Sequence, residues 1–338
     1  MLYSLARRAL FTLDAEHAHE LSLQAFRRFP VASTMPFASQ PVDDPVDLMG
    51  LRFANRVGLA AGLDKNGECL KAWAQLGFGF VEVGTVTPRP QPGNPRPRMF
   101  RLPAQRALIN RLGFNNKGVD YLISQVERSN FNGVLGINIG KNADTPIVSA
   151  VDDYIACLRK VHAPASYITV NISSPNTKNL RELQGDEQLN ALLNRLAQER
   201  EVLAQAQGKR TPMLVKIAPD VDDVQIEAVA RAALEHGVDG LIASNTTVTR
   251  PGLDQSPIAS ETGGLSGAPL RVMSTDVLRK LRQHLDKKFV LIGVGGICSA
   301  DDAREKISAG ADLVQVYSGF IYEGPGLIRS CAEALSSN

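Results

Sequence analysis

Apolar runs that end in polar or glycine-rich residues recur eight times along the chain. They lie at 57–64 (VGLAAGLD), 80–87 (FVEVGTVT), 134–141 (VLGINIGK), 167–173 (YITVNIS), 212–219 (PMLVKIAP), 240–246 (GLIASNT), 290–296 (VLIGVGG) and 313–319 (LVQVYSG). Near-continuous apolar strands are those of a parallel sheet covered on both faces. Between them, 68–76, 116–127, 151–161, 187–205, 224–235, 269–285, 300–309 and 326–335 carry apolar residues at helical spacing. Eight strand–helix alternations predict an α/β fold, a single (β/α)8 TIM barrel. A doubly wound open sheet would use similar strands. The count of eight, and polar tips on nearly every strand, favour the barrel, whose site is built from the C-terminal ends of its strands.

The first fifty residues follow a different pattern. Residues 2–13 read as a helix with Leu2, Leu5, Ala9 and Leu13 along one side. Asp14 suits the N-cap of a second helix over 15–29, ended by Pro30. That helix aligns Ala18, Leu21, Ala25 and Phe29, with Leu23 and Phe26 beside them and Arg7, Arg8, Arg27 and Arg28 on the flanks. Two helices alone cannot bury this apolar surface, so they pack on the barrel, a partner or a lipid surface. Interrupting arginines and the lack of a long apolar centre argue against a signal peptide. Amphipathic helices with basic flanks suit a membrane surface; packing wholly against the barrel is the alternative. Pro30, Pro36, Pro41 and Pro45 space a linker. The expected division is a helical extension at 1–38 and a barrel at 39–338. The segment 47–53 (DLMGLRF) predicts a hairpin closing the barrel floor.

Composition narrows the function. Of 338 residues, 44% are hydrophobic and 21% charged, ordinary for a globular domain. A net charge of +2 gives no electrostatic case for nucleic acid. Cys69, Cys157, Cys298 and Cys331 are widely spaced, which excludes a local zinc knuckle or contiguous iron–sulfur motif. No disulfide framework is expected, and the compartment reads as reducing. No apolar run approaches the roughly 20 residues that span a bilayer.

The strand tips carry the candidate chemistry. The stretch 167–177 (YITVNISSPNT) runs from a buried strand into Asn171, Ser173, Ser174, Asn176 and Thr177. Amides can read a planar hydrogen-bonding ligand, and a hydroxyl can move a proton. Gly293, Gly295 and Gly296 after strand seven, and Tyr317-Ser318-Gly319 after strand eight, stand where such barrels bind phosphate. The loop 263–267 (GGLSG) offers further N–H donors. Lys216 lies inside strand five. It could form a Schiff base with a phosphorylated sugar, or set a charge beside an electron-accepting ring. A non-catalytic membrane-bound barrel is a third possibility.

Several motifs resemble one family. GTVTPRPQPGNPRPR (84–98) and LIGVGGICSADDAREKISAGA (291–311) are similar to the two signature regions of the dihydroorotate dehydrogenases. AAGLDKNG, FRLP, NRLGFNN, NISSPNT and SNTT match as well. Ser174, where the soluble class has a cysteine, and the N-terminal helices resemble the bacterial, quinone-reducing class 2. The resemblance implies oxidation of (S)-dihydroorotate to orotate in de novo pyrimidine synthesis, with FMN as cofactor and a membrane quinone as final acceptor. It implies Ser174 as the base. It places Ala60, Ala61, Gly62, Leu63, Asp64, Lys65, Thr85, Asn138, Asn171, Lys216 and Ser244 along the flavin, and Gly267, Gly296, Tyr317 and Ser318 at its phosphate. Substrate would meet Lys65, Asn110, Arg111, Leu112, Gly113, Phe114, Asn171, Asn176, Asn245 and Thr246. His19, Arg101 and Tyr317 would border the quinone. Peripheral contact with the inner face of the cell membrane is implied, with no partner subunit required. Removal of 1–29 is expected to impair only reoxidation.

Overall fold

The computed structural model describes residues 2–38, 41–253 and 256–336. All eight expected strands form. They are Val57–Leu59, Phe80–Val86, Val134–Ile139, Tyr167–Asn171, Met213–Ile217, Gly240–Ala243, Val290–Val294 and Leu313–Val316. Each is parallel to its neighbours, and they close in chain order, the last pairing with the first through Val314↔Val57. An open sheet is thereby excluded.

Small and large residues alternate across the barrel interior. Gly58 stands opposite Phe80, and Gly136 opposite Tyr167. A Cβ on Gly58 would lie 2.3 Å from the Phe80 ring, and one on Gly136 2.2 Å from the Tyr167 ring. The glycines therefore make room for the two aromatic rings that fill the floor. The hairpin Val46–Leu48 and Leu51–Phe53 completes that floor. Its turn, Met49-Gly50, has positive φ at both residues, the geometry that matches strand twist. Phe53 is fully buried, edge-on to Phe80 at 5.2 Å.

The helices differ from expectation mainly at their ends. The first barrel helix shrinks to Leu70–Trp73. Pro30 does not simply stop the second N-terminal helix: α2 (Ala15–Arg28) ends at Arg28, and Pro30 opens α3 (Pro30–Thr34), where its missing N–H costs nothing. The Asp14 cap forms, accepting from the N–H groups of Glu16 and His17. The stretch 264–267 is not a loop. Gly264–Gly267 pairs with Ala107–Asn110, which pairs with Met99–Leu102, in an antiparallel sheet over the barrel mouth. Its glycines serve close approach: a Cβ on Gly267 would lie 2.2 Å from the Arg106 carbonyl oxygen.

The N-terminal extension rests on the barrel by one side only. From α1 (Leu2–Phe11), the Tyr3 hydroxyl donates to Ile321 O at 2.6 Å, Arg7 donates to Tyr322 O, and Phe11 stacks edge-on with Tyr322. Leu2, Leu5, Leu13, Phe29, Val31 and Met35 are exposed away from it, and Leu21 is exposed at the space between helices and barrel. The expected boundary at 38/39 touches residues 39–40, which lie outside the described residues.

Candidate active site at the barrel mouth

One polar cavity sits where the strand tips converge beneath the antiparallel sheet. Ala60, Ala61, Gly62 and Lys65 enter it after the first strand, Thr85 from the second, and Asn171, Ser174 and Asn176 from the fourth. Lys216 comes from the fifth strand, and Ser244, Asn245 and Thr246 from the sixth. Gly295 and Gly296 follow the seventh, Gln315 belongs to the eighth, and Tyr317 and Ser318 follow it. Asn110, Leu112, Gly113, Phe114 and Gly267 roof it.

Four expected members stand elsewhere. The Asp64 carboxylate turns away to accept from Glu68 N, Cys69 N and Trp73 Nε1, holding the turn that leads into the short helix. Leu63 faces a second, apolar cavity. Arg111 pairs with Glu261 at 2.6 Å and lies over the Phe100 ring, so its charge is used outside the cavity. Asn138 is fully buried behind the wall and acts on its neighbours. Its Oδ1 accepts from Thr85 Oγ1 and, at 3.2 Å, from Asn171 Nδ2.

That asparagine belongs to a connected ladder. Asn138 Nδ2 donates to Glu82 Oε1 at 2.8 Å, while Tyr167 OH and Gln315 Nε2 donate to Glu82 Oε2. On the other side, Asn171 Oδ1 accepts from Ser173 Oγ, which accepts from Asn245 Nδ2 at 2.9 Å. Paired buried amides fix one another's orientation. Glu82, fully buried, was missed by sequence reasoning. Its signal was there: it is the one charge in FVEVGTV.

Two buried ammonium groups line the cavity without a hydrogen bond to any described residue. Lys216 is 5% exposed and Lys65 9%. Burial lowers the pKa of Lys216, opposed by the Glu82 charge. Burial, and then the Arg98 charge, bring Lys65 down to about 8, opposed by Glu16 and Asp64. Gln315 Oε1 is also buried and unpartnered. Buried cations and acceptors left open are costly unless a ligand completes them. The glycines at one end are obligatory: a Cβ on Gly296 would lie 2.4 Å from Arg271 Cα. This donor set fits a ligand with an anionic tail and a hydrogen-bonding ring, the chemistry of FMN, with room for a carboxylate at Lys65.

Ser174 is 5% exposed in this cavity. Its Oγ accepts from Asn176 N at 3.2 Å, and the hydroxyl hydrogen is committed to no described residue. Thr177 Oγ1, three residues on, is buried without a partner.

The second cavity, of about 460 Å³, lies between the N-terminal helices and the barrel. Leu10, Ala18, Leu21, Phe26 and Leu63 help line it, with His19, Arg101 and Arg7 among its polar members. Burial and the nearby Lys65 charge push the His19 pKa down to about 3, so it is neutral at physiological pH. Arg101 donates to Phe11 O and Leu13 O and sits 4.4 Å from the Phe11 ring centroid. Tyr317, expected with them, lines the polar cavity instead. The two cavities share a thin wall: Gly62 and Gly319 face one, and their neighbours Leu63 and Phe320 face the other.

A closed eight-stranded barrel with a polar, cation-lined cavity at its strand tips defines a barrel enzyme. A family profile described as dihydroorotate dehydrogenase matches residues 45–338. The chain belongs to the dihydroorotate dehydrogenase family. It is 58% identical over 339 aligned residues, 99% of this chain and 100% of the relative, to the dihydroorotate dehydrogenase (quinone) of Thiobacillus denitrificans. The protein of the same name from Neisseria meningitidis serogroup C is 55% identical, over 99% of this chain and 100% of its own. A crystal structure of DHODH from Eimeria tenella in complex with ferulenol superposes with a TM-score of 0.88 at 40% identity, covering 95% of this chain and 90% of that one.

Proposed function

We infer that this chain oxidises dihydroorotate to orotate in pyrimidine biosynthesis and passes the electrons to a quinone. The observation that carries the reading is the convergence of Ser174, the two unpaired buried lysines and the amide ladder on one cavity. High identity over the full length to proteins named for this reaction supports it.

FMN, when bound, supplies the acceptor for the hydride from C6 of the substrate. Lys216 would face its ring, Ala60, Ala61, Gly62, Thr85, Asn171 and Ser244 would border it, and Gly267, Gly296, Tyr317 and Ser318 would hold its phosphate. Lys65 would take the substrate carboxylate, with Asn110, Asn171, Asn176, Asn245 and Thr246 reading the ring. Leu112, Gly113 and Phe114 would cover it. Ser174 Oγ would remove the C5 proton. A hydroxyl is a weak base, so its own proton must leave as the new one arrives. The unpartnered Thr177 Oγ1 supports a relay through water on that side.

The apolar second cavity, one wall away, supports quinone entry between the helices. His19 and Arg101 are among its polar residues; Arg101→Ala is expected to slow reoxidation by a quinone about tenfold, in line with loss of a charged hydrogen bond. Stopped-flow reoxidation checks this, with the reductive half-reaction unchanged. Seven exposed apolar residues on the extension support peripheral contact with the cell membrane on its cytoplasmic side. No helix among the described residues is long and apolar enough to cross it. The extension at 1–38 and the barrel at 39–338 are read as two functional parts, with no second subunit contributing to the site.

Because Lys65 titrates near 8, raising the pH discharges the free site. Orotate affinity is expected to fall above about pH 8, approaching tenfold per pH unit. Titrations of orotate against pH check it; a flat profile to about pH 10 would contradict this pH dependence. The reading as a whole is tested by steady-state turnover with a short-tailed quinone. One orotate should form per quinone reduced. No orotate with any quinone would contradict it.

A further inference from the structure

We propose that Glu16, on the N-terminal extension, is a positioning residue for the dihydroorotate site, acting through Arg98 and the turn at residues 92–94. The proposal rests on the reading of the polar cavity given above.

Glu16 and Arg98 are 4% and 6% exposed, 82 residues apart in the chain. Arg98 Nε lies 3.0 and 3.1 Å from the two carboxylate oxygens, and Nη2 lies 2.8 Å from Oε1. Such a fork fixes the guanidinium plane. The opposite edge of that plane is then aimed at the turn: Nη1 donates to Pro92 O and Asn94 O, both at 2.7 Å.

Asn94 carries the contact to the cavity. Its backbone N–H donates to Leu112 O at 3.1 Å, and its Nδ2 donates to Arg111 O at 2.8 Å and to Asn176 O at 3.3 Å. Leu112 and Asn176 line the polar cavity, and Asn176 Nδ2 in turn donates to Asn110 O. Two glycines show how tightly this stack is packed. A Cβ on Gly93 would lie 2.2 Å from Leu112 O, and one on Gly113 would lie 2.8 Å from the Asn94 side chain. A carboxylate on the extension thus stands three contacts from the residues that read the substrate.

The extension therefore serves both half-reactions. On this proposal removal of the extension impairs reduction as well as reoxidation: taking away α2 takes away Glu16, frees the Arg98 fork and loosens the roof of the substrate cavity. It also leaves Lys65 facing the Arg98 charge without the opposing carboxylate of Glu16.

The test uses the full-length flavoprotein. Orotate binding is read from the flavin spectrum, and reduction by dihydroorotate from stopped flow. Glu16→Gln should raise the orotate Kd and the dihydroorotate KM about tenfold, with the saturating reduction rate within about twofold of wild type. Glu16→Asp should recover part of the loss. Asn94→Ala, which breaks the last link at a half-exposed loop residue, should shift Kd in the same direction. Arg329→Gln, which breaks an exposed pair with Glu333 on the last helix, should leave Kd unchanged. Wild-type Kd and KM in Glu16→Gln would overturn the proposal. If that variant does not fold, wild-type Kd in Asn94→Ala overturns it. A wild-type protein that binds no orotate would overturn the functional reading itself.

Discussion

Ser174→Ala should lose reduction by dihydroorotate by about 10²–10⁴-fold, the range for removal of a positioned general base. It should still bind FMN and orotate. Ser174 supplies no charge to the cavity, and the one hydrogen bond it is seen to make is to the N–H of Asn176 in its own turn. Deleting its oxygen therefore leaves Lys65, Lys216 and the ladder of Asn138, Asn171 and Asn245 in place. Ser174→Cys should keep part of the activity, because a thiol ionises more readily than a hydroxyl. Stopped-flow bleaching of the flavin measures both variants. A near-normal rate in Ser174→Ala would remove the residue from the base role.

The second large effect is expected at Lys216. Its register neighbours are Asn171 on one side and Ile242 on the other, so its side chain starts from the middle of the barrel wall. No described residue accepts a hydrogen bond from it, and Glu82 is the charge that opposes its discharge. A cation held so can stabilise negative charge arising on a bound ring, and removal of one such donor costs about 10²–10³-fold. Lys216→Ala should slow reduction by that order and weaken retention of FMN. It also removes the cation whose charge interacts with Glu82, so loss of stability should accompany it. Full FMN content and full reduction rate would contradict this role. A covalent substrate adduct on Lys216, trapped with borohydride, would instead favour the Schiff-base reading.

The barrel was legible because each strand announces itself twice, by an apolar run and by a polar tip. Asn171, Ser174 and Lys216 could be placed in one cavity from that pattern alone, since strand tips must converge when eight strands close. The antiparallel sheet over the mouth was not legible. Its strands are four residues long, and Gly264–Gly267 pairs with Ala107–Asn110 across some 150 residues, so nothing local marks it. Its glycines look like a phosphate loop because close backbone approach and phosphate binding ask for the same residue. The side chains of Asp64 and Arg111 show a related ambiguity: charge near a strand tip can hold a turn or join a surface pair as readily as meet a ligand. Glu16 in the first turn of α2 reads as a residue complementing the helix dipole, and only the folded chain reveals Arg98 behind it.

Whether this chain is a flavoprotein reduced by dihydroorotate is decided by the visible spectrum of the purified protein, recorded without oxygen before and after dihydroorotate is added. The account predicts a yellow protein whose flavin bands bleach on addition of dihydroorotate, with orotate formed, and return on addition of a quinone. A colourless protein with no affinity for FMN, or a flavin that dihydroorotate does not bleach, would contradict it.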